Sequence, residues 1–277
     1  MRGAETLVFD DLTPHLLLKN GNLLYKIPFR GGFAVVKVYH GSRSRLTTWL
    51  KSLENLAVGQ SSYQPRTRMR IERECLEVWR KHGFRVYDTW DDVVIDAPQC
   101  RPGGYTVFEY RRGPSLNEHL ADDSLPLDTR FDTWRRFLLE WGRRHAMAIS
   151  ERETRLVHEN GDGKHVMIFD DGFHWLDFEV IWTDAARVAD HVSHEIVQYL
   201  WQISKSIPEA LRPRLLQEAA THYPDRDRLR DAWRLFLANR RPLLRAARAF
   251  DRRTARGRKP TSKYAVADRL RALLEAG

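Results

Sequence analysis

Two cysteines in 277 residues, Cys75 and Cys100, are too few for a disulfide framework, and no Cys-x-x-Cys pair offers a zinc site. A reduced, cytosolic setting suits such a chain. No run of about 18 apolar residues occurs, which excludes a spanning helix. The amino terminus, MRGAETLVFDDLTPH, carries acids where a signal peptide keeps an unbroken apolar stretch. The protein is therefore expected to be soluble or to lie on a membrane surface. Internal repeats and low-complexity blocks are missing as well. Apolar residues, by contrast, are plentiful at 42% with 11% aromatic, enough to bury a sizeable core and to exclude disorder. Lys and Arg number 46 against 37 Asp and Glu, a net charge of +9 that favours anionic partners: phosphorylated lipid or sugar, nucleotide, nucleic acid or membrane headgroups.

The first forty residues read as three antiparallel strands. HLLLKN, LLYKIPF and FAVVKVYH are short apolar or alternating runs, separated by the turn residues Asn20-Gly21-Asn22 and Arg30-Gly31-Gly32. Residues 41–66 are polar and read as a loop or an irregular helix. From Arg68 to His82 the period becomes helical, with Ile71, Cys75, Leu76 and Trp79 on one face, Glu72 at its opening and Gly83 as its stop. Short strands follow at FRVYDTW, VVIDA and YTVFEY. After Gly113-Pro114 a long helix is expected over 128–150. LVHEN then reads as a strand ending at His158-Glu159-Asn160, followed by a glycine-bearing loop and a hairpin, HVMIF and FHWLDFE. From Asp184 onward the pattern is helical. This order is α+β: a β-rich part with one main helix over 1–112, then a mostly helical part over 113–277, with ligands expected where two such lobes join.

Lys37 lies between valines in FAVVKVY. A half-buried lysine is costly unless its ammonium meets an anion, either a phosphate or a carboxylate. Taken alone, a lysine facing solvent on an edge strand is the commoner explanation, because a strand lysine is a weak signal. In LVHENGDGKHVMIFDDGFHWLDFE, Asp177 stands beside Phe178 at a strand end, a place from which a carboxylate can hold Mg²⁺ against phosphates, and His165 could act as a second ligand.

The order of the whole set narrows the reading. Strand lysine, helix glutamate, the FEYRRGPSL connection, a His-x-x loop and a final Asp-Phe-Glu follow the sequence order of the protein-kinase signature set. The chain resembles the kinase-like superfamily over nearly its first 180 residues. Within it, the chain looks most like the bacterial lipopolysaccharide kinases of the Kdo/WaaP type, including their InaA-like relatives. The motif E-x3-L-x2-W-x3-G and the histidine at His165 carry that resemblance.

The resemblance implies a two-lobed kinase-like fold with ATP and Mg²⁺ as cofactors. Lys37 would contact phosphates and pair with Glu72, and Gly21 and Asn22 would lie in the phosphate-covering loop. Glu109, Tyr110 and Arg111 would form the hinge that meets adenine, and Asp177 with His165 would hold the metal. His158, Asn160 and Asp162 would make the catalytic loop. The family has an aspartate where Asn160 stands; an amide can accept the substrate hydroxyl's hydrogen bond but cannot take its proton. Asp162 or Glu159 would have to serve as base, or Asp162 simply caps a turn. The function expected is phosphoryl transfer to a sugar hydroxyl of the lipopolysaccharide core, Kdo or heptose. The alternatives are a nucleotide-binding pseudokinase that regulates, or a protein or small-molecule kinase. The basic tail (Arg240, Arg241, Arg245, Arg248, Arg252 and Arg253) suits an anionic lipid or core sugar at the cytoplasmic face of the inner membrane, and no nucleic-acid motif accompanies it.

Overall fold

Alternating apolar residues build the first sheet. In the computed structural model, which describes residues 5–237, 249–254, 257 and 259–276, strands β2 (Leu16–Lys19), β3 (Leu23–Phe29), β4 (Gly32–Val38) and β7 (Tyr105–Glu109) form an antiparallel sheet in the order β2-β3-β4-β7. Ala34, Val36 and Val38 of β4 point to one face. There they join Tyr25, Ile27, Phe29 and Val107 in a core shared with Val93 and Ile95. Two further strands, β1 (Glu5–Val8) and β6 (Val93–Asp96), pair in parallel and cover this core. The period of two puts Lys37 on the opposite face, in register with Leu24 and Thr106.

Two helices follow β4: α1 (Arg45–Ala57) and α2 (Pro65–Lys81), before the short strand β5 (Arg85–Val86). The stretch 41–66, expected to be a loop or an irregular helix, holds a regular helix over Arg45–Ala57. Ser44 caps it by accepting from Thr47 N at 3.1 Å. Helix α2 begins at Pro65, so Glu72 lies at its middle and not at its opening. The first turns, PRTRMR, are polar and carry no periodic apolar signal. Ile71, Cys75, Leu76 and Trp79 are buried on one face together with Arg68 and Glu72. The helix ends in a Schellman turn: Gly83 has φ +74°, its N–H donates to Arg80 O, and Phe84 N donates to Trp79 O at 2.9 Å. The Phe84 ring packs on Trp79 with centroids 5.8 Å apart.

Chain contacts divide into two units: Met1–Arg112 with Leu176–Thr183, and Gly113–Trp175 with Asp184–Gly277. The segment carrying Asp177 therefore packs with the first unit. Architecture is α+β, with a β-rich first unit and a mostly helical second one.

The second unit holds α3 (Leu116–Ala121), α4 (Leu127–Glu151), the hairpin β8 (Val166–Phe169) and β9 (Gly172–Trp175), α5 (Val188–Ser206), α6 (Arg212–His222), α7 (Arg226–Leu237) and α8 (Lys263–Glu275). Helix α4 presents Trp134, Phe137, Leu138 and Trp141, all fully buried, at a spacing of three to four residues. They pack with Phe173, Trp175 and Tyr199 into one aromatic core. Truncating any one of these aromatics to alanine costs about 3–5 kcal/mol.

The expected strand at LVHEN is not one. Residues Thr154–Leu156 form a 3-10 turn capped by Glu153, and the loop to Asn160 is irregular. Buried side chains consume the backbone groups a strand would share: Arg144 Nη1 donates to Leu156 O at 2.7 Å, and His158 N donates to Glu195 Oε2 at 2.7 Å.

Candidate functional site

The first unit gathers Lys37, Glu72, Asp177 and Glu179. Lys37 Nζ stands 2.9 Å from both oxygens of Glu72, 3.3 Å from Asp177 Oδ1 and 2.6 Å from Glu179 Oε1. Three carboxylates thus face the three N–H donors of one ammonium. Burial would lower the lysine pKa, but Glu179, Glu72 and Asp177 outweigh it and hold the ammonium well above its usual value. Burial pushes the Glu72 carboxyl up; Lys37 opposes that, and Glu179 and Asp177 add to it. The Tyr39 hydroxyl donates to Glu72 Oε2, and burial raises its pKa well above the ordinary value, so it is a neutral donor.

Phe178 explains why two acids meet one lysine. Its ring is buried against Trp79 of α2, with centroids 4.6 Å apart, and its N–H donates to Glu72 Oε1 at 3.4 Å. Anchored there, the chain places Asp177 and Glu179 on either side of Phe178 and both beside Lys37. Asp177 takes φ +75°, a left-handed conformation costly for a residue with a Cβ, which persists only where surrounding contacts hold it.

Glu179 is also gripped from its other oxygen. Arg68 Nη1 lies 2.7 Å from Glu179 Oε2 and donates to Asn22 Oδ1 at 2.7 Å, while Asn22 Nδ2 donates to Glu179 Oε1. Arg68 also donates to Tyr39 O. The resemblance assigned Asn22 to a loop over phosphates; its side chain is instead buried in this network. Gly21 has φ +78°, its carbonyl accepts from Arg68 and Ser42, and an added Cβ would meet Tyr63 Oη at 3.0 Å. The turn is pinned inward by α2. Neither Arg68 nor Glu179 was singled out from the sequence. Arg68 sits in RTRMR, a basic run without an apolar period, and its partner is 111 residues away.

The proposed hinge lies at the end of β7. Glu109 N donates to Asp88 O at 2.9 Å and Glu109 Oε1 accepts from Asp88 N at 3.1 Å, so this residue is tied to its own unit. Tyr110 packs edge-on against Phe33, with Lys26 Nζ 4.1 Å from its ring centre. Arg111 follows half-buried.

The remaining residues singled out lie in the second unit. His158 is buried, with Nδ1 2.7 Å from Tyr199 Oη. Asn160 is exposed, and its carbonyl lies 3.2 Å from His165 Nδ1. Asp162 is buried and spent on structure: it accepts from Asn117 Nδ2 at 2.9 Å and from Lys164 N at 3.2 Å, capping the 3-10 turn Gly163–His165. Beneath this loop, Glu195 binds Arg144 and accepts from Trp141 Nε1 at 2.9 Å. Burial opposes its ionisation, but Arg144 and His145 outweigh that and hold its carboxyl well below the ordinary range. His145, buried beside the same pair, is pushed down by desolvation. Among the described residues, no three His, Cys, Asp or Glu side chains converge on a metal position. No described helix is long and apolar enough to cross a membrane. Arg240, Arg241, Arg245 and Arg248 lie outside the described residues; Arg252 pairs with Asp268.

No protein-family model matches this sequence, and no curated protein matches it. Among solved structures, the chain is similar to a pseudokinase solved in its apo form, with 14% identity over 100% of this chain and 99% of that one and a TM-score of 0.39. It is likewise similar to drought responsive inactive kinase 1, a pseudokinase solved with ENMD-2076 bound, with 16% identity, the same coverage and a TM-score of 0.42. At these values the assignment rests on the geometry of the chain's own residues.

Proposed function

We propose that this chain is a kinase-like, nucleotide-binding regulatory module that does not turn over its nucleotide at an appreciable rate. The ion cluster at Lys37 carries the reading. A buried ammonium placed on a strand, clamped by a helix glutamate and met by Asp177, is the arrangement the kinase-like resemblance implies for phosphate binding. Here each of its donors already has a carboxylate, so a phosphate reaches Lys37 only by displacing Glu179 or Asp177.

The donor chemistry fits Mg²⁺-bound nucleotide. Two cations, Lys37 and Arg68, against three carboxylates leave the cluster a formal charge of −1, which suits a metal-bound phosphate better than a bare one. Asp177 has the most exposed side chain of the cluster, at 27%, and would hold the metal; Lys37 would meet the phosphates. The bound Mg²⁺ would supply neutralisation of phosphate charge. Slow transfer is inferred from the second unit. Asn160 offers no basic group, and Asp162 is committed to Asn117 and Lys164, which leaves half-buried Glu159 as the carboxylate of this loop that a transfer would have to use. Loss of a base lowers a rate by about 10²–10⁴-fold.

A single-turnover assay with ATP labelled at its terminal phosphate tests this reading. The account expects nucleotide retained by the protein and no labelled product, whether the acceptor offered is lipopolysaccharide core, a sugar, a peptide or water. Transfer to a core sugar hydroxyl would instead establish the phosphotransferase alternative, which rests on the sequence resemblance.

A further inference from the structure

Helix α1 is amphipathic in the inverted sense. Its polar positions Thr48, Lys51, Ser52 and Asn55 are turned toward its own unit: Asn55 Nδ2 donates to Ser61 O at 3.2 Å, and Gln64 Nε2 to Ser52 Oγ at 3.4 Å. Its apolar positions face solvent. Leu46, Trp49, Leu50, Leu53 and Leu56 are 46–65% exposed and recur at three and four residues, so they line one side of a helix about 20 Å long. Five large apolar side chains in one exposed stripe are more than chance leaves on a soluble surface, and such patches mark interaction sites.

Charge says what covers the stripe. From Gly41 to Arg70 the chain has six cations, at positions 43, 45, 51, 66, 68 and 70, and one acid, Glu54; Arg68 is buried against Glu179, and the other five remain against one acid. Arg45 begins α1 and is exposed, and Arg43 lies just before its cap. Arg43, Lys51 and Arg68 surround the ring of Tyr63 at 5.8, 5.1 and 4.3 Å. Burial lowers the Lys51 pKa, and the neighbouring Arg43 and Arg68 lower it further, the mark of cations crowded together. An apolar stripe containing a tryptophan, with Arg43 and Arg45 at its amino-terminal end, has the makeup of a helix that lies in a bilayer interface. A protein partner would need facing side chains to fit a convex stripe; acyl chains do not.

We propose that α1 is a membrane-docking helix, whose stripe from Leu46 to Leu56 enters the interface of an anionic bilayer while Arg43 and Arg45 meet lipid phosphates. The inference is independent of nucleotide binding at Lys37.

Co-sedimentation of the full chain with vesicles tests it, using phosphatidylcholine alone and phosphatidylcholine mixed with phosphatidylglycerol. Wild type should bind the mixed vesicles and leave the neutral ones largely unbound. Leu50→Ser with Leu53→Ser should weaken partitioning by about tenfold or more. Arg43→Ser and Arg45→Ser should each weaken it by about fivefold at low salt. Leu50, Leu53 and Arg45 are exposed and Arg43 is half-buried, and circular dichroism should show folding retained in each variant. As a second readout that leaves the stripe apolar, brominated lipid should quench tryptophan emission in wild type and less in Trp49→Phe. Binding that is absent, or unchanged by the serine variants, overturns the proposal, the latter assigning vesicle binding to another basic segment. A dimer in ultracentrifugation that the leucine changes dissolve, without vesicle binding, overturns it in favour of a second copy.

Discussion

Replacing Lys37 by methionine removes the one ammonium that stands within 2.6–3.3 Å of Glu72, Asp177 and Glu179. Methionine fills a similar volume, so the change is chiefly one of charge. Glu179 keeps Arg68, and Asp177 can turn to water, but Glu72 is left 2% exposed with the Tyr39 hydroxyl and the Phe178 N–H as its donors among the described residues. Removing one partner of a buried ion pair costs about 3–5 kcal/mol. At about 2–4 °C per kcal/mol for chains of this order, the melting midpoint should fall by roughly 6–20 °C. The loss should also depend on pH, with a sign that can be worked out. In wild type the raised Lys37 pKa contributes stability in full below about 10.5, hence equally at pH 5 and pH 8. Glu72 has a folded pKa above its unfolded value, so the native state binds its proton more readily, and stability falls as pH rises through that interval. Without Lys37 the interval widens upward. Lys37→Met should therefore be closer to wild type at pH 5 than at pH 8. Thermal melts followed by circular dichroism at both pH values measure this. A double-mutant cycle with Glu179→Gln should show a coupling of about 0.5–3 kcal/mol. A deficit under about 1 kcal/mol that is equal at the two pH values, or a cycle without coupling, would refute the enclosure of Lys37.

Glu195→Gln should destabilise the second unit by about 3–5 kcal/mol, because Arg144 stays buried without its carboxylate. The folded pKa of Glu195 is depressed below 4.5, so in wild type its stabilisation is present above about pH 4.5 and is lost as pH falls toward the folded value; the variant should lack that part of the acid slope in urea titrations. Gly161→Ala would bring a Cβ to 2.3 Å from the Tyr199 ring and should cost about 1–3 kcal/mol in the same titrations, since crowding a packed interior forces neighbours to shift. Asn160→Asp introduces a carboxylate at an exposed position and should leave the melting midpoint unchanged; labelled ATP would show whether it also raises turnover.

The strand character of FAVVKVY was legible because valine alternation is local, and the helical face of α2 because its apolar residues repeat within seventeen positions. The grip on Lys37 was legible only in part. Glu72 and Asp177 could be assigned by order along the chain, but Glu179 and Arg68 could not. Their role depends on Phe178 seating against Trp79, a contact between positions about a hundred residues apart that no period records. Helix α1 was legible only as a loop or an irregular helix, for a different reason. Its apolar repeat is present, but its flanks are rich in Ser, Gln and Gly, and its stripe faces solvent where a core-seeking reading expects burial. The loop at His158 reads as a strand because Leu156 and Val157 are apolar, whereas Arg144 and Glu195 claim the backbone groups that a strand would need.

The central claim, nucleotide held by the Lys37 cluster, is tested most directly by titration calorimetry with ATP and Mg²⁺. Wild type should bind with one site per chain. Asp177→Asn should weaken binding by about tenfold or more, the worth of a hydrogen bond or contact to a charged group. Glu179→Gln, which frees a Lys37 donor and removes one negative charge, should tighten it. Absence of binding in wild type, or an affinity indifferent to both changes, would contradict the account.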